Sequence, residues 1–294
     1  MSDTGKKSGG GGKKRIDLLL VEQGCFPSRE QAQRAVMAGQ IFYDGRLIDK
    51  PGAAVAPDGE IQVRGNPCPY VSRGGLKLES ALSDLGIEVA GKVALDAGAS
   101  TGGFTQCLLQ RGACRVYAVD VGYGQLAWDL RCDQRVKVIE RTNLRYLTPE
   151  ALGEQVEFVT LDLSFISLAK VLGAVKTLLR PGGEVLALVK PQFEAGREQV
   201  GKGGIVKDPA VQRAVLEQVS AAACQLGFQI RGVTYSAIQG ADGNIEFFLW
   251  LGDDRQGVGA ALSPDQAKQV VSAARASLLK SRASAREARG QEPE

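Results

Sequence analysis

Short apolar runs alternate with helix-length segments through most of the chain after about residue 76. Apolar runs of about four to eight residues are typical of strands buried on both faces, and their alternation with helices indicates an α/β fold with a doubly wound, mostly parallel sheet. The last two runs are joined only by AIQGADG, so we expect those two strands to pair antiparallel. In chain order the runs are KVALDAG, CRVYAVD, VKVIERT, VEFVTLDL, EVLALVK, FQIRGVTYS and NIEFFLWL.

A different pattern occupies residues 13–64. RIDLLLVEQG has helical spacing and ends at Gly24, and SREQAQRAVMAGQ begins with a capping box of Ser28 and Gln31 and ends at Gly39. QIFYDGRLI predicts a hairpin about an Asp-Gly turn, and APDGEIQV adds a further turn and strand. These elements predict a small α+β domain.

The remaining segments complete the predicted domain organisation. Residues 1–12 are expected to be a disordered basic arm, because residues 1–15 carry five Lys/Arg against one Asp. Contact with a polyanion and a solubilising tail are equally open for this arm. Residues 65–75 form a linker that prolines stiffen, residues 76–252 form the sheet domain, and residues 253–294 form a C-terminal helix and a polar tail.

Composition narrows the chemistry. The 294-residue chain lacks histidine, which removes Ser-His hydrolases and histidine-built metal sites, so no metal is expected. Its six cysteines include no Cys-x-x-Cys pair and are expected to be reduced thiols. No apolar run approaches the ~20 residues that span a bilayer, and the N-terminus has no secretory signal. We therefore expect a cytoplasmic protein with no membrane contact.

The segment LDAGASTGGFT lies where the first sheet strand runs into the helix that follows it. Its Gly-x-x-x-Gly-Gly spacing differs from the Gly-x-Gly-x-x-Gly of dinucleotide sites, where a helix N-terminus faces a pyrophosphate. Asp96 stands two residues before Gly98, and its charge would repel a pyrophosphate but suit the cationic sulfonium of S-adenosylmethionine. The candidate cofactor-binding residues of this segment are Asp96, Gly98, Ala99, Ser100, Gly102, Gly103 and Phe104.

Asp120 ends the second sheet strand, 18 residues beyond Gly102. An acid about 20 residues past a glycine loop accepts hydrogen bonds from the ribose hydroxyls of an adenosine. Asn143, just past the third strand, is a weaker candidate for the adenine side of the pocket. The loop and Asp120 together predict a nucleoside cofactor.

Charged residues also stand at the ends of later strands. Asp162 ends the fourth strand, Lys190 ends the fifth, and Glu246 lies near the start of the antiparallel last strand. All three should therefore reach one edge of the sheet. Leu163 and Ser164 follow Asp162 where amine-directed methyltransferases usually carry two prolines, which disfavours a base amine as the target.

Methyl transfer to a ribose 2′-hydroxyl requires alignment and removal of a poorly acidic proton. A lysine with an ordinary pKa of about 10.4 is protonated, but burial and a second cation favour the neutral amine. We predict that Lys190 is the base in its neutral form and that Lys77, in VSRGGLKLESAL, supplies the second cation and guides the hydroxyl. Asp162 and Glu246 would orient the two amines, although their charges oppose the shift.

Two resemblances follow from these residues. Lys77, Asp162, Lys190 and Glu246 resemble the catalytic set of FtsJ-type ribose 2′-O-methyltransferases, and VSRGGLKL, LDAGASTGGFT, DLSFISL, LVKPQFE and NIEFF stand in the expected order. KRIDLLLVEQG, SREQAQRAVMAGQIFYDGRLI and PDGEIQV resemble the S4 RNA-binding domain. The fusion of the two resembles the haemolysin A-like (TlyA) family of ribosomal RNA methyltransferases.

The family resemblance implies a Rossmann-like methyltransferase sheet joined to an S4-like domain, with S-adenosyl-L-methionine as cofactor. It implies methylation of cytidine 2′-hydroxyls in ribosomal RNA, so the expected partner is ribosomal RNA or a ribosomal subunit. Basic residues of the small domain and the linker would meet phosphates, which position RNA rather than read its bases. These candidate RNA contacts are Lys14, Arg15, Arg29, Arg34 and Arg73.

Two alternatives to RNA methylation stay open. The family's haemolysin name implies lysis of membranes, and an inert methyltransferase fold would leave an RNA-binding ribosome assembly factor. The target nucleotide and the oligomeric state do not follow from the sequence.

Overall fold

The computed structural model describes residues 13–26, 28–37, 39–48, 50–64, 69–240, 243–254 and 259–287, without the side chains of Arg34 and of residues 280–287. The predicted basic arm therefore lies outside the described residues. The chain divides into two compact units between Pro69 and Tyr70.

The first unit is the predicted small α+β domain. Its helices are α1 (Ile16–Glu22) and α2 (Arg29–Met37), and its strands are β1 (Lys14–Arg15), β2 (Ile41–Tyr43), β3 (Arg46–Ile48), β4 (Ala54–Val55) and β5 (Ile61–Val63). β2 pairs antiparallel with β3 across Asp44 and Gly45. The φ angles of these two residues, 47° and 75°, are the positive values that a two-residue hairpin turn requires, and they confirm the predicted hairpin.

A buried carboxylate lies among the basic residues of this unit. Asp17, in the first turn of α1, is fully buried and accepts hydrogen bonds from Arg15 Nη2 (2.9 Å), Arg29 Nε (3.0 Å) and Gln33 Nε2 (2.7 Å). The hydrogen bond from Arg15 is the largest of the effects that hold the pKa of Asp17 well below its usual range. Because these partners compensate its charge, the carboxylate can be buried and ties α1 to α2.

The second unit contains a seven-stranded sheet. Its strands are β6 (Val93–Ala97), β7 (Arg115–Val119), β8 (Val136–Ile139), β9 (Val156–Leu161), β10 (Leu179–Val189), β11 (Gln229–Tyr235) and β12 (Phe247–Gly252). The spatial order is β11-β12-β10-β9-β6-β7-β8. The neighbours from β10 to β8 are parallel, whereas β12 is antiparallel to both β10 and β11. This arrangement confirms the predicted sheet and its antiparallel ending.

Helices cover both faces of the sheet. They are α3 (Gly74–Leu85), α4 (Gly103–Gln110), α5 (Trp128–Cys132), α6 (Pro149–Leu152), α7 (Leu172–Leu178), α8 (Pro191–Glu194), α9 (Pro209–Gln225) and α10 (Pro264–Glu287). The helix α10 corresponds to the helix predicted for the tail, and it buries Ala267, Val271 and Ala274 in the main core. The C-terminal helix therefore packs as part of this unit.

The segment before α3 also packs on the second unit. Residues 65–68 of the predicted linker lie outside the described residues. Tyr70, by contrast, is buried, and its hydroxyl donates a hydrogen bond to Glu79 at 2.9 Å. The backbone N–H of Val71 donates to Gln106 Oε1 at 2.6 Å. These contacts hold the start of α3 beside α4.

Strand register brings three charged residues to one edge of the sheet. Ala187 of β10 lies opposite Leu161, the last residue of β9, and Val189 lies opposite Phe247, the first residue of β12. The residue after β9 is Asp162, the residue after β10 is Lys190, and the residue before β12 is Glu246. The apolar residues of β9 and β10 are buried on both faces of the sheet. The polar residues that follow them, Asp162 and Lys190, therefore lie together at the carboxyl ends of these two strands.

Candidate active site

The loop between β6 and α4 approaches β9 closely at Gly98. Gly98 has a φ of +86°, and a Cβ at this position would lie 2.4 Å from the backbone oxygen of Asp162. A side chain here would be strained by the backbone and would collide with another backbone segment. Glycine therefore allows the loop to lie against the end of β9.

Asp120, immediately after β7, is held by two backbone donors. The N–H of Ser100 donates to Asp120 Oδ2 at 2.8 Å, and the N–H of Gly122 donates to Oδ1 at 2.7 Å. Ser100 adopts a φ of +47°, which is uncommon outside glycine and frequent at functional loops. These bonds fix the carboxylate beside the glycine loop, and each oxygen retains capacity for a further donor.

A cavity of about 330 Å³ opens between the glycine loop and the ends of β7 and β9, and its size is within the range of small-molecule sites. Among the predicted cofactor residues, Gly98, Ser100, Asp120 and Asn143 line it, and so does the predicted catalytic Asp162. The rest of its wall consists of Val119, Val121, Thr142, Leu144, Leu163, Ser164, Phe165, Ile166 and Val171. The cavity is thus largely apolar with a few polar groups, as expected for a site that binds a small molecule.

The other predicted cofactor residues contribute to packing around the loop and not to the cavity wall. Of the residues described, the cavity wall does not include Ala99, Gly102 or Gly103, nor Asp96 or Phe104. Phe104 is buried and packs against Phe248, with 6.2 Å between ring centroids. A Cβ on Gly103 would lie 2.8 Å from the backbone nitrogen of Gly75, so this glycine lets α4 pack against α3.

Asp96 lies beneath the glycine loop. The prediction from the sequence instead places its negative charge beside the ligand. Its side chain is fully buried, and its oxygens accept hydrogen bonds from Thr105 Oγ1 (2.7 Å) and Thr160 Oγ1 (3.1 Å). Burial raises the pKa of Asp96 to about 7, although the threonine hydrogen bonds oppose this shift. The position at the end of β6 is inside the core because α4 packs over it and β9 lies beside it in the sheet.

Replacing Asp96 with asparagine is expected to flatten the pH dependence of stability. Between its ordinary pKa of 3.8 and about 7, Asp96 keeps its proton in the folded chain but loses it on unfolding. The free energy of unfolding should therefore fall as pH rises through this window, by up to about 1.4 kcal/mol per pH unit. Urea denaturation between about pH 5 and pH 8 measures this slope. Asp96→Asn should lose this component and exposed Asp129→Asn should retain it; an unchanged slope in Asp96→Asn would assign it to another group.

The predicted catalytic residues form two ion pairs. Lys190 Nζ lies 2.6 Å from Asp162 Oδ1, and Lys77 Nζ, reaching from α3, lies 2.6 Å from Glu246 Oε2. The Lys77 and Glu246 side chains are 12% and 2% exposed, so the second pair is nearly sealed from water. The structure thus brings Asp162, Lys190 and Glu246 to one sheet edge, with Lys77 joined to them through Glu246.

Residues that the sequence analysis missed surround Lys190. Its ammonium donates a hydrogen bond to Ser164 Oγ at 3.1 Å and lies 5.7 Å from the Phe193 ring centroid. The Phe193 ring is 4.9 Å from that of Phe165, which is 90% exposed and has a φ of +63°. The sequence signal that could have identified Phe165 and Phe193 is an aromatic residue close after a strand end, in DLSFISL and again in KPQFE.

Each of the two units matches a known protein family. A model described as FtsJ-like methyltransferase matches residues 70–253, more than half of the chain. The chain belongs to the FtsJ-like methyltransferase family. A model of the S4 domain matches residues 14–61. Both predicted resemblances are therefore confirmed.

Named relatives align with most of the length of this FtsJ-like chain. It is 50% identical over 238 residues to the 16S/23S rRNA (cytidine-2′-O)-methyltransferase TlyA of Mycobacterium tuberculosis, covering 81% of this chain and 89% of that protein. It is 40% identical over 234 residues to Hemolysin A of Brachyspira hyodysenteriae, covering 79% of this chain and 97% of that protein. A solved structure from Streptococcus thermophilus, named as a hemolysin, matches with a TM-score of 0.74 and 45% identity, covering 92% and 98% of the two chains.

The predicted RNA contacts of this FtsJ-like chain have intramolecular partners. Arg15 and Arg29 bind Asp17, and Lys14 Nζ lies 2.7 Å from Glu22. The Arg73 guanidinium donates to the backbone oxygen of Gln239 at 3.1 Å. The side chain of Arg34 lies outside the described part of the chain. Arg15 and Arg29 remain about half exposed, so each can present donors to a phosphate while Asp17 holds it.

The described residues of this family member contain neither a helix that could span a membrane nor a cluster of metal ligands. None of the helices there combines the length and the apolar character needed to traverse a bilayer. In the same residues, His, Cys, Asp and Glu form no group of three or more that could hold a metal ion.

Proposed function

We propose that the protein transfers a methyl group from S-adenosylmethionine to cytidine 2′-hydroxyls of ribosomal RNA, with Lys190 as the general base. The observation that carries this proposal is the ion pair of Lys190 with Asp162, whose carboxylate lines the cavity beside the glycine loop. A proton acceptor thus lies next to the pocket of the methyl donor. Direct methyl transfer needs these two parts to be adjacent.

The described residues fit the cofactor. Asp120 offers a half-buried carboxylate for ribose hydroxyls, and the close approach of Gly98 to Asp162 leaves the cavity beside them open. Asp162 would face the cationic end of the ligand. Asn143 and the apolar side chains of Val121 and Leu144 would enclose the adenine side. When bound there, S-adenosylmethionine supplies the methyl group.

The chain's own residues would handle the proton. Lys190 in its neutral form accepts the proton of the 2′-hydroxyl while the oxygen gains the methyl group, and the resulting ammonium pairs with Asp162. Ser164, at 3.1 Å, limits the directions in which the Lys190 amine can point. Lys77, held by Glu246, would hydrogen-bond the hydroxyl oxygen.

Aromatic and basic side chains around the second unit support RNA as the substrate. Phe165 is exposed at the cavity wall and can stack on a base that has left its helix. The Arg141 guanidinium lies 4.2 Å from the centroid of the exposed Tyr123 ring, and that of Arg145 lies 5.3 Å from the exposed Tyr146. Positive charge combined with aromatic faces suits single-stranded nucleic acid. The S4 domain and the relatives named as ribosomal RNA (cytidine-2′-O)-methyltransferases support ribosomal RNA as the substrate and cytidine as the nucleotide.

The test is methyl transfer to ribosomal subunits from cells that lack this protein. Purified protein and tritiated S-adenosylmethionine should label the RNA, and digestion should release the label as 2′-O-methylcytidine. Label on a base would contradict the ribose target. RNA binding without transfer would favour the assembly-factor alternative, and dye release from liposomes without transfer would favour the haemolysin alternative.

Arg29→Gln is expected to weaken RNA binding through the loss of one phosphate contact. The slope of log affinity against log salt concentration should fall by about 0.7 to 0.9, the value for one counterion released. Filter binding at several salt concentrations measures this slope. Lys268→Gln on α10 removes the same charge and should leave the slope unchanged. A wild-type slope in Arg29→Gln would place that face of α2 in solvent.

A further inference from the structure

A carboxylate just beyond Lys190 bonds to the loop that lines the cavity. Glu194 Oε1, at the end of α8, accepts a hydrogen bond from the backbone N–H of Leu168 at 2.8 Å. Its second oxygen is shielded from solvent. Burial raises the pKa of Glu194, while the bonds from the Leu168 N–H and the Ser167 hydroxyl oppose the shift. A half-buried carboxylate with one shielded oxygen and a backbone donor on the other is a specific attachment rather than a surface charge.

The bonded loop carries much of the candidate active site. It begins at Asp162, whose N–H donates to the backbone oxygen of Ala97 at 3.0 Å, and it ends in a 3-10 turn at Leu168–Lys170. Ser167, which precedes that turn, makes no side-chain cap. Glu194 supplies the missing cap from another segment of the chain. The residues between the two attachments are Leu163, Ser164, Phe165, Ile166 and Ser167.

Glu194 and Lys190 belong to the same short turn. The N–H of Phe193 donates to the backbone oxygen of Lys190 at 2.9 Å, and the N–H of Ala195 donates to that of Pro191 at 2.9 Å. Pro191 also fixes its own φ angle at the start of α8. These bonds therefore hold the backbone of Glu194 in a fixed position relative to that of Lys190.

We propose that Glu194 is a positioning residue that fixes the loop 162–168 against α8, so that Ser164 and Phe165 keep their places beside Lys190. This inference rests on the proposed function. The two segments meet at the Lys190–Asp162 ion pair, the Lys190–Ser164 hydrogen bond and the Phe165–Phe193 ring contact. Glu194 adds a hydrogen bond to the Leu168 N–H at the other end of this contact. A displacement of about 1 Å at a reacting centre can cost about 100-fold in rate, so a released loop should slow the reaction.

The effect should differ between the two ligands. Asp120 and Ser100, at the proposed ribose end of the cavity, do not belong to the loop that Glu194 binds, whereas Leu163, Ser164, Phe165 and Ile166 of that loop line the same cavity. We expect Glu194→Ala to lower kcat about 10- to 100-fold with the RNA substrate and to weaken S-adenosylmethionine binding by a smaller factor, less than about fivefold or ~1 kcal/mol, because the loop forms only part of the cavity wall. Glu194→Gln keeps an oxygen that can accept the Leu168 N–H, so it should recover most of the rate.

The experiment combines kinetics with hydrogen exchange on the full chain. Glu198→Ala, an exposed acid four residues further along, removes the same charge and should behave as wild type. Amide exchange should show faster exchange at Leu168 in Glu194→Ala and not in Glu194→Gln. This readout needs no enzymatic activity, so it tests the attachment even if wild-type protein transfers no methyl group and the proposed function fails.

Several results would overturn the inference. One is normal kcat in Glu194→Ala, and another is a Glu194→Gln variant as slow as the alanine variant. Equal losses of cofactor affinity and turnover would indicate a general folding role. A double variant with Phe165→Ala gives a final check, because positioning through this loop predicts effects that are less than additive. Fully additive effects would separate Glu194 from the loop.

Discussion

Lys190→Ala is expected to lower the rate of methyl transfer about 10²- to 10⁴-fold, the usual contribution of a general base. In the proposed mechanism the amine at the end of β10 accepts the hydroxyl proton, and it contacts Asp162 at the cavity wall. Single-turnover transfer of tritiated methyl groups to ribosomal RNA measures the loss. Binding of S-adenosylmethionine should persist, since Asp120 and the glycine loop are untouched.

Two control variants sharpen this test. Lys92→Ala also breaks an ion pair between a lysine and a carboxylate, that of Glu184, but Lys92 lies before β6 at the opposite end of the sheet. It should therefore leave turnover near the wild-type value. Lys190→Arg keeps a positive charge that cannot be deprotonated, so it should be as slow as alanine if Lys190 acts as a base. Turnover in Lys190→Ala close to that of wild type would remove Lys190 from the mechanism.

Asp120→Ala is expected to weaken S-adenosylmethionine binding by at least about 100-fold. Two ribose hydroxyls donating to a carboxylate contribute about 1.5 to 3 kcal/mol each, and alanine removes both acceptors. The variant also removes the acceptor of the Ser100 and Gly122 N–H groups, which shape the glycine loop. Isothermal titration calorimetry with S-adenosylmethionine and with S-adenosylhomocysteine measures the change.

The graded variant Asp120→Asn retains one acceptor oxygen, so its affinity should lie between those of wild type and Asp120→Ala. Glu88→Ala removes an exposed carboxylate before β6 and should leave the affinity unchanged. Wild-type affinity in Asp120→Ala would show that the adenosyl group binds elsewhere, and the proposed cofactor site would be wrong.

The sequence by itself determined where the strands, the hairpin and the glycine loop lie along the chain, and which charged residues stand at the strand ends. Buried strands, the Asp-Gly hairpin and the glycine loop follow from patterns within a few neighbouring residues, because local backbone geometry and burial set them. The polar residues that end β9 and β10 and precede β12 were predictable for the same reason. Their arrival at one edge then needs only the parallel and antiparallel directions of the strands.

Only the tertiary structure decided which of these residues pair. Lys190 binds Asp162 and Lys77 binds Glu246, a choice that depends on strand register and on the approach of α3. The burial of Asp96 depends on the packing of α4 over it and on β9 beside it, and the attachment of the cavity loop to Glu194 joins segments 26 residues apart in the chain. Such contacts have no local sequence signal, because packing between distant elements sets the geometry and the solvent exposure of each side chain.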